Sequence, residues 1–229
     1  MKPIKDFVLI KPHLREETSG LYIDHTYEPS DHVLVIGTVV EIPMKLDKEP
    51  WQSEIEIQVG DVVYFDRYSA MQAFGNTYHG ESITNDNRVI KVDEIPHLYL
   101  KYHNLYMAIR EGKRIMLNGY ALLTSVEWKA KSNIELVQDV TSHYKIFKAE
   151  LSGKSIKYSN PDYEDSEISG GKYYVIDTAR GQNSRVQNHV FPVEQFLYRT
   201  LDKEYYVAQR CYISAEVSED VVTENIAKL

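Results

Sequence analysis

The stretch that decides the reading is Phe7-Val8-Leu9-Ile10-Lys11-Pro12-His13-Leu14-Arg15-Glu16-Glu17-Thr18-Ser19-Gly20-Leu21-Tyr22-Ile23. It has two parts. Phe7, Val8, Leu9 and Ile10 form a short apolar run that Pro12 is expected to stop, and a run apolar on both faces suits a strand buried on both sides. Arg15 to Ser19 is polar and charged, with a single Gly20, and it gives way abruptly to Leu21, Tyr22 and Ile23. The chain then turns polar again from Asp24 to Asp31. An apolar triplet between polar flanks has two ordinary explanations: an edge strand packed on the core, or a plug offered to a partner as an extended segment.

Working outward, strand signals dominate. Val33 to Ile42 is β-branched with Gly37 inside it, which predicts a strand bent or bulged at the glycine and ended by Pro43. Met44 to Ser53 reads as an exposed loop, and Glu54-Ile55-Glu56-Ile57 alternates as a half-exposed strand should. Val59-Gly60-Asp61 is turn chemistry feeding the apolar strand Val62 to Phe65. Arg88 to Val92 predicts a further short strand, and the pair Leu98–Leu100 and Leu105–Ile109 closes the first part of the chain. Helical signals are scarce: one or two turns over Val193 to Tyr198, and a tail from Ser218 to Leu229 that is a short helix or loose.

These landmarks, in this order, resemble the GroES-type small co-chaperonins over roughly residues 1–112. The opening strand of that family, of the form D-x-V-L-(V/I)-K, is met by Asp6, Val8, Leu9, Ile10 and Lys11. Its mobile loop, E-E-x-x-S-G-G-I-x-L, is met by Glu16, Glu17, Ser19, Gly20, Leu21 and Ile23. Its V-G-D-x-V-x-F signature is met at Val59, Gly60, Asp61, Val63 and Phe65, and its closing strands at Leu98, Leu100, Leu105, Met107, Ala108 and Ile109. The chain departs from the pattern in having one glycine where the family has two, a bulky Tyr22 in the triplet, and a loop about three residues longer before Gly37. The resemblance implies a mobile loop over residues 16–31 whose Ser19, Gly20, Leu21, Tyr22 and Ile23 dock in an apolar groove of a GroEL-type chaperonin ring.

From Leu117 the pattern restarts. Tyr120 to Thr124 sits where Phe7 to Lys11 sat, and Tyr144 to Leu151 replays the second strand. Gly171 and Asp177 take the places of Gly60 and Asp66, while Lys172 replaces Asp61. Tyr205 and Tyr212 match Leu98 and Leu105 in the closing pair. The expected fold is therefore all-β: two tandem GroES-like small β-barrels, 1–112 with the candidate loop and 113–229 as a degenerate second copy. Lys129 to His143, the place of the loop in the second copy, holds no Ser-Gly-apolar plug.

Composition narrows the function. Of 229 residues, 43% are hydrophobic and 26% charged, an ordinary globular balance. Tyr outnumbers Phe 18 to 6, which suits half-buried strand faces. A net charge of −8 without a Lys/Arg stripe opposes nucleic-acid binding. No apolar run approaches the roughly 18–20 residues of a membrane span, nothing at Met1 to Ile4 resembles a signal peptide, and the lone Cys211 rules out a disulfide framework, so a reducing cytoplasm is expected. His13, His25, His32, His79, His97, His103, His143 and His189 show no metal-binding spacing, and no nucleophile or phosphate-binding motif appears. Asp61 and Asp66 read as turn residues and Cys211 as a small buried thiol in a closing strand, so neither an enzyme nor a bound cofactor is expected. The resemblance implies a homo-oligomeric lid on a chaperonin ring; the alternative is a structural component of a bacteriophage virion that keeps the barrel and packs against neighbouring subunits.

Overall fold

A computed structural model of the protein describes residues 3, 5–14, 33–47, 51–66, 69, 77–78, 81–82, 89–92, 95–126, 144–162, 164–177, 190–193 and 201–226. They are almost wholly β and fall into two compact units that divide between Asn118 and Gly119.

The first unit is built on β1 (Phe7–Leu14), β2 (Val33–Glu41), β3 (Val62–Phe65), β4 (Val89–Val92), β5 (Ile95–Lys101), β6 (Leu105–Arg110) and β7 (Lys113–Met116). All neighbours are antiparallel, in the order β4-β5-β1-β2-β3-β6-β7. The apolar run of β1 is buried on both faces, as expected: Val8 and Ile10 enter the core cluster, and Leu9 on the opposite face is 2% exposed. Register explains the core. Val8 lies opposite Leu100 and Ile10 opposite Leu98, so one face of both strands points inward together with Val39, Val63, Phe65, Leu105 and Ala108. The expected barrel is an open sheet among the described residues. The short edge strands β4 and β7 do not pair, yet Val89 from one edge and Ile115 from the other pack on the same cluster. The sheet thus wraps its core and seals it with side chains rather than with a closed ladder.

Pro12 does not end β1. The strand runs on to Leu14, with a register shift between Pro12 and Leu14 that accommodates the missing N–H. Gly37 faces Pro12, and a Cβ there would lie 2.5 Å from Ile10 Cγ2, 2.7 Å from the Lys11 carbonyl and 3.1 Å from Pro12 Cα. The two backbones cross too closely for any side chain. Glu54 to Ile57, expected as a strand, joins no ladder, and its backbone groups are taken by side chains. Tyr102 Oη donates to the Glu54 carbonyl at 2.9 Å and accepts from the Glu56 N–H at 2.9 Å. Arg110 Nη2 donates to the Glu56 carbonyl at 2.8 Å.

The second unit contains β8 (Tyr120–Ser125), β9 (Tyr144–Ser152), β10 (Tyr173–Asp177), β11 (Val190–Pro192), β12 (Tyr206–Gln209), β13 (Ile213–Val217) and a helix α1 (Glu219–Ile226). Its strand order is β11-β12-β8-β9-β10-β13. Taken in chain order these strands occupy the positions of β4-β5-β1-β2-β3-β6, so the two sheets share one topology. The details coincide as well. The β1/β2 ladder shifts between Leu9 and Ile10, and the β8/β9 ladder between Leu122 and Leu123. The β3/β6 ladder shifts between Tyr64 and Phe65, and the β10/β13 ladder between Val175 and Ile176. Val39 exchanges backbone hydrogen bonds with Gly60 and Asp61, and Ala149 does so with Gly171 and Lys172. A 3-10 turn follows β5 at Tyr102–Asn104 and β12 at Arg210–Tyr212.

This register corrects the sequence alignment by one residue. Leu98 faces Ile10 and Tyr206 faces Leu123, so Tyr206, not Tyr205, holds the place of Leu98, and Ile213, not Tyr212, that of Leu105. The spacing between two tyrosines could not fix the phase, and a slip of one flips every side chain to the other face. Small residues replace larger ones in the second core, Ala121 for Val8, Ala149 for Val39 and Ala208 for Leu100. Aromatic rings return the volume: Tyr174 stands for Val63, Tyr206 for Leu98, and Phe147 packs edge-on against Tyr206 at 5.5 Å. The seam between β10 and β13 also carries an ion pair of opposite polarity to its counterpart. Asp61 pairs with Arg110 in the first unit, whereas Lys172 pairs with Glu216 in the second.

The tail predicted as a short helix or loose chain is the helix α1. Of the predicted turns over Val193 to Tyr198, only Val193 lies within the described residues.

Gly37→Ala should destabilise the protein by about 1–3 kcal/mol, the scale of forced overpacking, measured as a lower urea midpoint at unchanged slope. A variant as stable as the parent would show that the crossing at Pro12 is not close.

Candidate functional site

Ser19, Gly20, Leu21, Tyr22 and Ile23, with the rest of the candidate loop 16–31, lie outside the described residues. The structure shows the root from which this segment leaves the sheet and to which it returns. Leu14 pairs with Val33, so residues 15–32 begin and end at one point on the β1–β2 hairpin. Below that pair lies the Pro12–Gly37 crossing, and beside it His13 Nε2 and Thr38 Oγ1 are 3.0 Å apart. Burial, and then the neighbouring Lys11 charge, hold the His13 imidazole below its ordinary pKa, so the root is neutral at that position near pH 7. Among the described residues, this root belongs to the first unit alone. The matching register positions of the second unit are Ser125 and Phe147, which require no such crossing. Residues 127–143, where the second copy's loop would lie, are outside the described residues.

The V-G-D turn is built for folding. Gly60 adopts φ +92°, a conformation that favours glycine. Asp61, 3% exposed, accepts from the Gln58 N–H at 2.8 Å and from Arg110 Nε and Nη2 at 2.8 and 2.7 Å. Burial alone would raise the Asp61 carboxyl, but the Arg110 and Gln58 hydrogen bonds outweigh it and hold it below the usual carboxylate range. Asp66 caps the start of the next segment, accepting from the Ser69 N–H at 2.9 Å and Ser69 Oγ at 3.0 Å. Both carboxylates are therefore engaged in turn geometry, as their positions at strand ends suggested.

Cys211 differs from its expected setting. It sits in the 3-10 turn after β12, half-buried, and its backbone N–H donates to Tyr158 Oη at 3.2 Å. Burial raises its thiol above the ordinary value, which disfavours the reactive thiolate. Among the described histidines, His97 Nδ1 lies 3.0 Å from the Ile95 carbonyl, and no group of three or more possible metal ligands occurs among the described residues. Nor is any described helix long and apolar enough to cross a membrane.

Three residues with structural weight were not singled out from sequence. Asn118, fully buried at φ +53°, donates to the carbonyls of Tyr102 and Leu105 at 2.9 and 2.8 Å and accepts from Ser53 Oγ at 2.9 Å. The Asn118-Gly119 dipeptide was a readable turn signal for it. Tyr102 and Arg210 open the two 3-10 turns. Arg210, 6% exposed, pairs with Asp165 at 2.8 Å and donates to the Gly153 carbonyl at 2.7 Å.

The first unit holds both ends of residues 15–32 at one paired position, and Asp61 and Asp66 are engaged in turns. Residues 1–109 match the family described as Chaperonin 10 Kd subunit, so the first unit is similar to the GroES-type co-chaperonins. No curated protein matches the chain.

Arg110→Met should destabilise the first unit by about 2 kcal/mol, the scale of lost hydrogen bonds to a charged group. The sign with pH follows from the lowered carboxyl. In the parent, the Asp61 contribution is complete above about pH 4, the ordinary carboxylate value, and disappears as pH falls through the lower folded value. In Arg110→Met the carboxyl loses the partner that lowers it, so the stability lost below about pH 4 should be smaller than in the parent, which denaturant titrations between about pH 3 and 7 would reveal.

Proposed function

We propose that the protein is a co-chaperonin-like lid that docks on a GroEL-type chaperonin ring through Ser19, Gly20, Leu21, Tyr22 and Ile23 and assists protein folding. The observation that carries this reading is the family match over residues 1–109, which spans the hairpin whose paired residues Leu14 and Val33 root the candidate loop. Docking rests on Leu21, Tyr22 and Ile23. Each buried side chain contributes about 1.5–3 kcal/mol at best, before the ordering of the loop is subtracted. One loop binds weakly, and several loops held in an oligomer bind through effective concentration. A homo-oligomeric lid is therefore part of the proposal. The chaperonin ring supplies the nucleotide chemistry, and the lid supplies the seal.

The second unit, on this reading, is a degenerate copy of the first. The shared strand order, the matched register shifts and the paired backbone bonds of Val39 and Ala149 support it. It carries no Ser-Gly-apolar triplet and no counterpart to the Pro12–Gly37 crossing. It would act as a domain outside the docking contact.

Co-sedimentation with an ATP-loaded GroEL-type chaperonin tests the reading. Wild type should sediment with the ring, and Leu21→Ser with Ile23→Ser should not. Binding by neither protein would overturn the lid and leave the virion component as the standing alternative. Binding by both would overturn the assigned docking residues.

A further inference from the structure

Two ionisable side chains of the first unit bury polar atoms around the turn Tyr102–Asn104 without satisfying them. Asp6 is 1% exposed, and neither of its carboxylate oxygens accepts a hydrogen bond. The Lys101 ammonium stands off at 3.9 Å from Oδ2. His103 is 5% exposed and its Nε2 has no hydrogen-bond partner. Aromatic rings enclose it: Trp51 meets the imidazole edge-on at 5.1 Å and Tyr102 at 6.5 Å. Unmade hydrogen bonds at buried polar atoms are destabilising, and native structures keep few of them without a reason.

Both groups touch the device that holds the Glu54–Glu56 segment. The Asp6 carbonyl accepts from the Tyr102 N–H at 2.8 Å, His103 is the next residue along, and the Tyr102 hydroxyl grips the Glu54 carbonyl and the Glu56 N–H. We propose that Asp6 and His103 act together as a proton-sensitive latch on the segment fastened by Tyr102. With the imidazole neutral, the turn is seated as described. When a proton from solvent converts it to imidazolium, the buried Asp6 carboxylate becomes its counter-ion. The pair draws together, and the shift of the turn loosens the grip of Tyr102 on Glu54 and Glu56.

The charged surroundings set the sign. Asp6, before β1, and Asp47, after β2, favour the imidazolium, while Lys101, at the end of β5, opposes it. Tyr102 stays protonated, because burial pushes its hydroxyl well above the ordinary value. Burial of His103 is the largest influence and leaves its pKa below the ordinary 6.5. The unfolded chain therefore takes the proton first as the solution is acidified. The stability contribution of neutral His103 is complete above about pH 6.5 and is lost as pH falls through the folded value.

The test follows the His103 ring resonances by NMR as pH is lowered. Its titration should lie below that of an unfolded peptide, move further down in Asp6→Asn and move up in Lys101→Gln. Because Asp6 is buried and its variant can fail to fold, the half-exposed Lys101 provides the second arm. Hydrogen exchange at the Glu56 amide, corrected for intrinsic rate, reads the latch. In the parent its protection should hold above about pH 6.5 and drop at lower pH, as the ring takes its proton; in His103→Gln it should stay constant. A ring that titrates at the ordinary value and responds to neither charge change would overturn the proposal. Equal loss of Glu56 protection in His103→Gln would also overturn it.

Discussion

The first unit depends on one phenol. The hydroxyl of Tyr102 bridges a carbonyl and an amide two residues apart, Glu54 and Glu56, and so takes the place of a neighbouring strand. Without that bridge the long crossing from β2 to β3 would expose backbone groups over the core that Ile57 helps to fill. The ring itself is fully buried in that core, and the turn beneath it is held by Asn118 and by the Asp6 carbonyl. The second unit solves the same problem at the same position with a different side chain. Arg210 opens its 3-10 turn and fastens the β9–β10 crossing through Gly153 and Asp165. What persists between the two units is the geometry of the fastening. The chemistry has changed from a neutral phenol in an apolar core to a guanidinium in a buried ion pair.

The root of the candidate loop is a second constraint, and it is local. Gly37 lets two strands cross at Pro12 more closely than any side chain at that position would allow, next to the place where residues 15–32 depart. A loop that must present an apolar segment gains from such anchoring. Fixing both ends reduces the conformations the segment explores before it meets a partner, so less entropy is lost on binding. At the matching positions of the second unit, Ser125 and Phe147, no such crossing is present.

Much of this architecture was legible because its signals are local. The apolar run Val8 to Ile10, the β-branched strand interrupted by Gly37 and the V-G-D turn each state their structure within a few residues. The family match falls on that portion of the chain. The strand order of the second unit was legible as a repeat, but its phase was not, because adjacent tyrosines at 205 and 206 satisfy the pattern equally well until pairing partners are known. Glu54 to Ile57 misled for a different reason. Its alternation is real, but the partner for its backbone is a side chain forty-odd residues away, which no local window contains. Pro12 misled because a proline can sit within a strand when the opposite residue is glycine and the register shifts beside it. The buried polar roles of Asn118 and Arg210 likewise depend on distant backbone. Ser19, Gly20, Leu21, Tyr22 and Ile23, proposed to dock, are read from the sequence alone.

The opposite polarity of the two seam ion pairs bears on how a chain carrying two similar sheets avoids confusion while it folds. Tandem repeats are prone to exchange equivalent segments. If β10 were to enter the first sheet beside β6, Lys172 would face Arg110. If β3 were to enter the second sheet beside β13, Asp61 would face Glu216. Either trespass would set like charge against like in place of a native ion pair, a bias against exchange. That discrimination should weaken as ionic strength rises.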